Sequence, residues 1–467
     1  MVLSGSVYFI FLAGVFFLYW PLSRWRAAGL AVILFANYFF YAKWDLFYLG
    51  LIPACSLADY LLARGMGASR RPLVRRALVL ASLLLNLGVL ASFKYMTFLL
   101  ENYAALTGQP APAWHWSFPL GISFYCFQSL TYTIDVYRRD APPARSVLAY
   151  LSAVSFFPTT LAGPITRPAA LMPQLENTAR ALDTGESGRA LFLIALGLIK
   201  KLLIADYLAD NLVNRVFDLP KLYAATEVAA GAYGYALQLY YDFSGYTDVA
   251  IGSALLLGLK LPANFRRPYA AANIADFWRR WHITLSNWLR DYLYFSLPGL
   301  RAKSKIFTSV NLLVTMTLGG LWHGASWNFV LWGALHGAAL AVQRAWRTWR
   351  GEGPASRSGK LAAALLTVHF VVLAWIPFRA PDLATARSIL EQLGSATVSF
   401  ANISPGVALV MAIAAVAHYL PAGWYEWSQR QYARIPFYAQ AATLLLLAMA
   451  LRYVAGTGAA PFIYTQF

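Results

Sequence analysis

The sequence predicts an all-α integral membrane protein with about 11–13 tilted transmembrane or re-entrant helices. Three observations predict it. Of 467 residues, 59% are hydrophobic and only 12% charged, where a soluble domain carries about a quarter charged residues. Apolar segments of about 20 residues, the length that crosses a bilayer core, recur along nearly the whole chain. The interruptions between them are short, so residues 1–467 read as a single polytopic membrane domain.

Taken in order, apolar length places spans at roughly 6–22, 28–42, 46–63, 77–94, 118–136, 147–163, 189–205, 225–258 (long enough for two pieces), 308–342, 361–378, 405–420 and 437–454. The first of these, in MVLSGSVYFIFLAGVFFLYW, lacks a basic leading region and a small-residue cleavage site, so it reads as a retained span rather than a signal peptide. The stretch 308–342 is too long for one span and is interrupted by small and polar residues. A break or re-entry is expected there, at a place where protein or water satisfies the backbone.

A formal charge of +18 suggests nucleic acid at first sight, but the basic residues fall between apolar spans, where the positive-inside rule accounts for them. No nucleic-acid partner is expected. Placing the N-terminus outside puts Arg24 and Arg26, then Arg64 to Arg76, then Arg138, Arg139 and Arg145 on the cytoplasmic side. Counting from the other end, 344–360 and Arg430/Arg434 are cytoplasmic, and the tail 456–467 is extracytoplasmic. Cys55 and Cys126 match no metal or redox spacing.

The polar, Trp-rich stretch 260–305 behaves differently. On a helical wheel Trp278, Trp281, Leu285, Trp288 and Tyr292 form one apolar stripe, with Arg279, Arg280, Asn287 and Arg290 facing away. That pattern predicts a helix lying in the cytoplasmic-side interface.

Among six histidines, two stand out as chemistry. His323 sits in an apolar helix between Gly320 and Gly324, a spacing that lets another backbone approach closely. A titratable group there faces a cavity or a partner. It could be a general base for an incoming hydroxyl or a histidine that bridges two helices. His282 borders the Trp stripe and can turn inward, in a catalytic or a structural role. His336, between Gly333 and Gly337, reads as a packing histidine; His369 and His418 rank lower, and His115 lies in a polar loop. Asp242, Ser244, Thr247 and Asp248 lie within an apolar run, as a proton relay or as helix cross-links around Gly245. No P-loop, dinucleotide glycine motif, nucleophile elbow or zinc spacing is present, and no metal is expected.

The stretches GISFYCFQSLTYTIDVYR (121–138), FFPTTLAGPITR (156–167), GLIKKLLIAD (197–206), QLYYDFSGYTDVAIG (238–252), NFRRPYAAANIADFWRRWHITLSNWLRDYLY (264–294) and LGGLWHGASWNFVLWGALHG (318–337) resemble, in order, the membrane-bound O-acyltransferase family. The resemblance is to its bacterial branch, which includes alginate and peptidoglycan O-acetyltransferases and the teichoic-acid D-alanylation protein. It implies helices ringing a funnel, with the histidine of Leu-Trp-His-Gly, here His323, at the bottom and that of Trp-Arg-Arg-Trp-His, here His282, as a second functional position. Arg279, Arg280 and Trp281 would then help bind the acyl donor. The ending Phe462-Ile463-Tyr464-Thr465-Gln466-Phe467 resembles the Phe-x-Tyr-x-x-Phe tail of some bacterial members; its alternative is an aromatic interfacial anchor.

What the resemblance implies about function is a bacterial inner-membrane enzyme that moves a small acyl group, acetyl above D-alanyl, to an extracytoplasmic polysaccharide. No tightly bound cofactor is implied; an acyl thioester such as acetyl-CoA is the co-substrate, and an SGNH-hydrolase-like transferase outside the membrane is the onward partner. A tyrosyl ester on Tyr464 suits the passage, because a phenol with a pKa of about 10 is a poorer leaving group than a thiol of about 8.5. Two other readings stand beside this one: a long-chain or lipid acyltransferase, and an ion-coupled transporter using His323, Asp242 and Asp248.

Overall fold

The computed structural model describes residues 3–43, 48–114, 116, 121–177, 183–298, 304–351, 356–455 and 462–463. Among these residues the regular structure is helical throughout. Large apolar side chains such as Phe17, Phe35, Leu84, Leu366 and Leu446 face outward with most of their surface exposed. A soluble monomer does not display so much apolar surface, whereas a multi-pass membrane protein turns such a surface to lipid.

The apolar segments become helices close to their expected places: Ser6–Leu22, Arg26–Ala42, Tyr48–Ala68, Ile122–Arg138, Pro405–Tyr419 and Phe437–Ala455. By length and composition alone, Pro72–Thr107 and Arg357–Arg379 are the two described helices able to cross a membrane unaided. Ser6–Leu22, Arg26–Ala42 and Phe437–Leu451 are apolar but shorter, and another span is bent. In it Pro405–Tyr419 and Ala422–Arg434 meet at a bend of 94°.

Two of the expected spans, the possible pair over 225–258 and the one over 147–163, change in detail. The segment 225–258 is one unbroken 32-residue helix, Ala225–Leu256, about 48 Å long at 1.5 Å per residue. The segment 147–163 is helical only over Val147–Val154, after which 155–166 runs as irregular, buried backbone. Side chains from elsewhere satisfy that backbone: Phe157 N–H donates to Asn37 Oδ1 at 2.9 Å, and Ile165 N–H to Thr284 Oγ1 at 3.0 Å. Irregular chain at membrane depth requires this kind of compensation.

The region 308–342 breaks as its composition suggested, into Lys305–His323 and Trp327–Arg350, which pack together. Glycine is what permits the contact. A Cβ on Gly320 would lie 2.1 Å from Phe329 O, and one on Gly333 2.3 Å from Met316 O, so the two backbones touch as small-residue pairs allow in membranes.

The expected interfacial helix over 278–292 is corrected. The chain forms Ile274–Trp278, turns at Arg279–His282, and resumes as Ile283–Trp288 followed by a π-helical turn, Leu289–Leu293. Trp281 is 1% exposed and His282 not at all. The stripe therefore packs inside the protein, and the break lets His282 point where a continuous helix could not carry it.

Candidate active site

His323 ends the helix Lys305–His323, and its side chain is buried. Its ring meets Trp322, Trp332 and Phe378 at centroid distances of 5.0, 5.1 and 5.3 Å, each edge-to-face. His282 reaches the same group: Trp322 lies 6.5 Å from its ring, Phe243 4.7 Å and Phe124 6.4 Å. Both imidazoles therefore lie beside Trp322, itself stacked on Phe127 at 5.0 Å, which stacks on Trp288 at 3.6 Å. The described rings around the two imidazoles are aromatic and largely buried, so hydrogen bonds and charges among them act at low dielectric.

The end of the His323 helix is held by residues that the sequence did not single out. A helix C-terminus leaves carbonyls without intrahelical partners. Here Lys94 Nζ donates to Trp322 O at 2.7 Å and His323 O at 3.1 Å, and Tyr95 Oη donates to Leu321 O at 3.1 Å. Both come from the π-helical turn Ala91–Tyr95, which interrupts Pro72–Thr107. Such bulges re-aim side chains and recur at functional sites. The signal available in the sequence was Lys94 itself, a lone cation within an apolar span.

His282 is fixed through its backbone and through Asn264. Its φ of 40° and ψ of 56° are left-handed, uncommon for a residue with a Cβ. Asn264 Oδ1 accepts from Thr284 Oγ1 at 2.7 Å and from Thr284 N–H at 3.4 Å, and lies 3.4 Å from His282 Nδ1. Those donors identify the oxygen, so the contact assigns the ring proton to Nδ1 and leaves Nε2 as the acceptor nitrogen.

Other predicted positions fall outside this centre. Arg279 and Arg280 pair with Asp276, at 3.5 and 3.0 Å, and Arg279 is well exposed. Trp281 packs against Trp375 and Phe277 at 5.1 and 5.7 Å. His336 accepts from Trp278 Nε1 at 3.3 Å, and His418 Nε2 accepts from Tyr269 N–H at 3.1 Å, both packing roles. His369 is exposed, with Nδ1 2.6 Å from Leu365 O. Asp242 and Asp248 pair with Lys201 and Lys200 at 2.7 and 2.6 Å. These ties join Ala225–Leu256 to the 197–206 segment beside Gly197 and Gly245, where an added Cβ would strike the facing backbone. His115 and Tyr464 lie outside the described residues, although Phe462 and Ile463 are described and buried. No cluster of three or more His, Cys, Asp or Glu suited to a metal occurs among the described residues.

A sequence model described as the membrane-bound O-acyltransferase family matches residues 40–376. A probable alginate O-acetylase of Azotobacter vinelandii is 39% identical over 392 residues, covering 83% of this chain and 76% of that protein. The peptidoglycan O-acetyltransferase of Helicobacter pylori is 36% identical over 402 residues, 80% of this chain and 75% of that one. The teichoic acid D-alanyltransferase of Bacillus subtilis is more distant, 28% identical over 282 residues, 56% of this chain and 68% of that protein.

Proposed function

The chain belongs to the membrane-bound O-acyltransferase family, and we propose that it takes an acetyl group from a cytoplasmic thioester such as acetyl-CoA and delivers it for O-acetylation of a polysaccharide outside the bacterial inner membrane. The acceptor class follows the names of its relatives, which act on alginate and on peptidoglycan. The observation that carries the reading is the convergence of His323 and His282 on Trp322 inside a buried aromatic enclosure. An enclosure of this kind keeps water from competing for the acyl group.

In this mechanism His323 removes the phenolic proton of Tyr464, and the phenolate oxygen attacks the thioester carbonyl. The new C–O bond forms as the C–S bond breaks, and the proton held by His323 passes to the departing thiolate. His282, oriented by Asn264, positions the donor carbonyl, and the basic side chains of 266–290 attract the donor's phosphates. A separate SGNH-hydrolase-like protein then carries acetyl from Tyr464 to the polymer. Lys94 holds the carbonyls of Trp322 and His323 and so sets where the imidazole points.

The test is release of thiol from acetyl-CoA by the protein reconstituted in vesicles, together with acceptor O-acetylation in cells. His323→Ala, inserted and folded at normal abundance, abolishes both. Substantial activity in that variant removes His323 from the chemistry. Acyl thioesters of graded length separate acetyl from long-chain transfer.

A further inference from the structure

Asp242 is 1% exposed on the helix Ala225–Leu256 and uses both of its oxygens. Oδ1 accepts from Lys201 Nζ at 2.7 Å, and Oδ2 accepts the main-chain N–H of Ile463 at 2.9 Å, 221 residues away in sequence. Lys201 also pairs with Asp206 at 2.8 Å, and its ammonium lies 4.7 Å from the centre of the Phe462 ring. That ring in turn meets Tyr246 edge-on at 4.9 Å. Phe462 is 1% exposed and Ile463 8%, whereas an aromatic interfacial anchor would leave them at the surface.

We infer that the buried Lys201–Asp242 pair is a docking site for the chain's own C-terminus, which holds it in the register that presents Tyr464. Three physical points support this. Lys201 faces two carboxylates, so the cluster has an excess of acceptors, and the Ile463 N–H supplies a donor that a buried carboxylate needs. The recognition suits a tail: a main-chain N–H is available from any residue but proline, while the cation–π contact demands an aromatic ring at 462. The site is also well placed. Phe243, the next residue after Asp242, packs 4.7 Å from His282, so the stretch of helix that grips the tail also lines the imidazole enclosure.

The positioning consequence rests on the acyl-carrier reading proposed above; the docking site rests on the contacts alone. The experiment separates them. In full-length protein in native membranes, a thiol is introduced as Gln466→Cys and its rate of maleimide labelling measured alongside acyl transfer. Ile463→Pro removes the N–H, and Asp242→Ala removes its acceptor; both are expected to raise the labelling rate about tenfold or more, the scale of a lost hydrogen bond to a charged group. Ile463→Ala, which keeps the N–H, should raise it much less. Tyr464→Phe leaves labelling slow while transfer stops. Thermal midpoints confirm folding, and because Ile463→Pro lies in the tail it stays informative if Asp242→Ala proves unstable. Labelling of folded Ile463→Pro at the parental rate overturns the docking site. Faster labelling with undiminished transfer establishes the docking site and removes the carrier reading instead.

Discussion

His282 shows how much of this site depends on single residues. Its left-handed backbone costs roughly 1–2 kcal/mol for a residue with a Cβ, and asparagine tolerates that conformation better than alanine. His282→Asn is therefore expected to accumulate normally yet lose most transfer, with His282→Ala additionally less stable by about 1 kcal/mol. Equal activity of the Asn variant and the parent would make His282 a structural residue. Lys94→Met leaves the carbonyls of Trp322 and His323 without the Lys94 donor. Hydrogen bonds to charged groups are worth about 1.5–3 kcal/mol, so kcat should fall roughly tenfold or more while the donor KM stays near the parental value. A fall in folded protein with kcat per folded molecule unchanged would reduce Lys94 to a structural cap. His323 was legible because an imidazole between glycines in an apolar helix is conspicuous. Lys94 was not, since the carbonyls it serves lie 228 and 229 residues away.

At the scale of elements, the hairpin of Lys305–His323 and Trp327–Arg350 depends on glycine at its contact. Gly320→Ala forces a Cβ against Phe329 O; overpacking of this sort costs about 1–3 kcal/mol. The variant should show a lowered thermal midpoint, and transfer should fall further than the loss of folded protein explains, because His323 is three residues along. An unchanged midpoint with parental activity would show that the helices can separate freely. The break in this region was readable from its length and its glycines. The break at Arg279–His282 was not: a regular apolar stripe fits a surface helix and a buried, interrupted one equally well, and only partners outside the stretch such as Asn264, Ile165 and Trp375 decide between them. The same limit applied to the expected span 147–163, whose residues after Val154 are irregular and buried despite their apolar composition.

Across the whole molecule, the family and the helical membrane architecture follow from composition and from motif order, while the pairings among motifs do not. Lys200 and Lys201 of one stretch meet Asp248 and Asp242 of another, which turns conspicuous intramembrane carboxylates into the ties between helices. The proposed reaction requires access from both sides of the membrane. Cysteines placed in 64–76 and 344–360 should react only with membrane-permeant reagents, and one at Thr457 should be labelled from outside; the reverse at Thr457 would remove Tyr464 from the mechanism. The central claim is transfer of acetyl by His323 through the tail, and mass spectrometry of the C-terminal peptide tests it most directly. In cells lacking the onward transferase, the peptide from the parent protein should carry acetyl on Tyr464, and the peptide from His323→Ala should carry none. An unmodified Tyr464 in a protein that still acetylates its acceptor, or an adduct equally abundant in His323→Ala, would contradict the account.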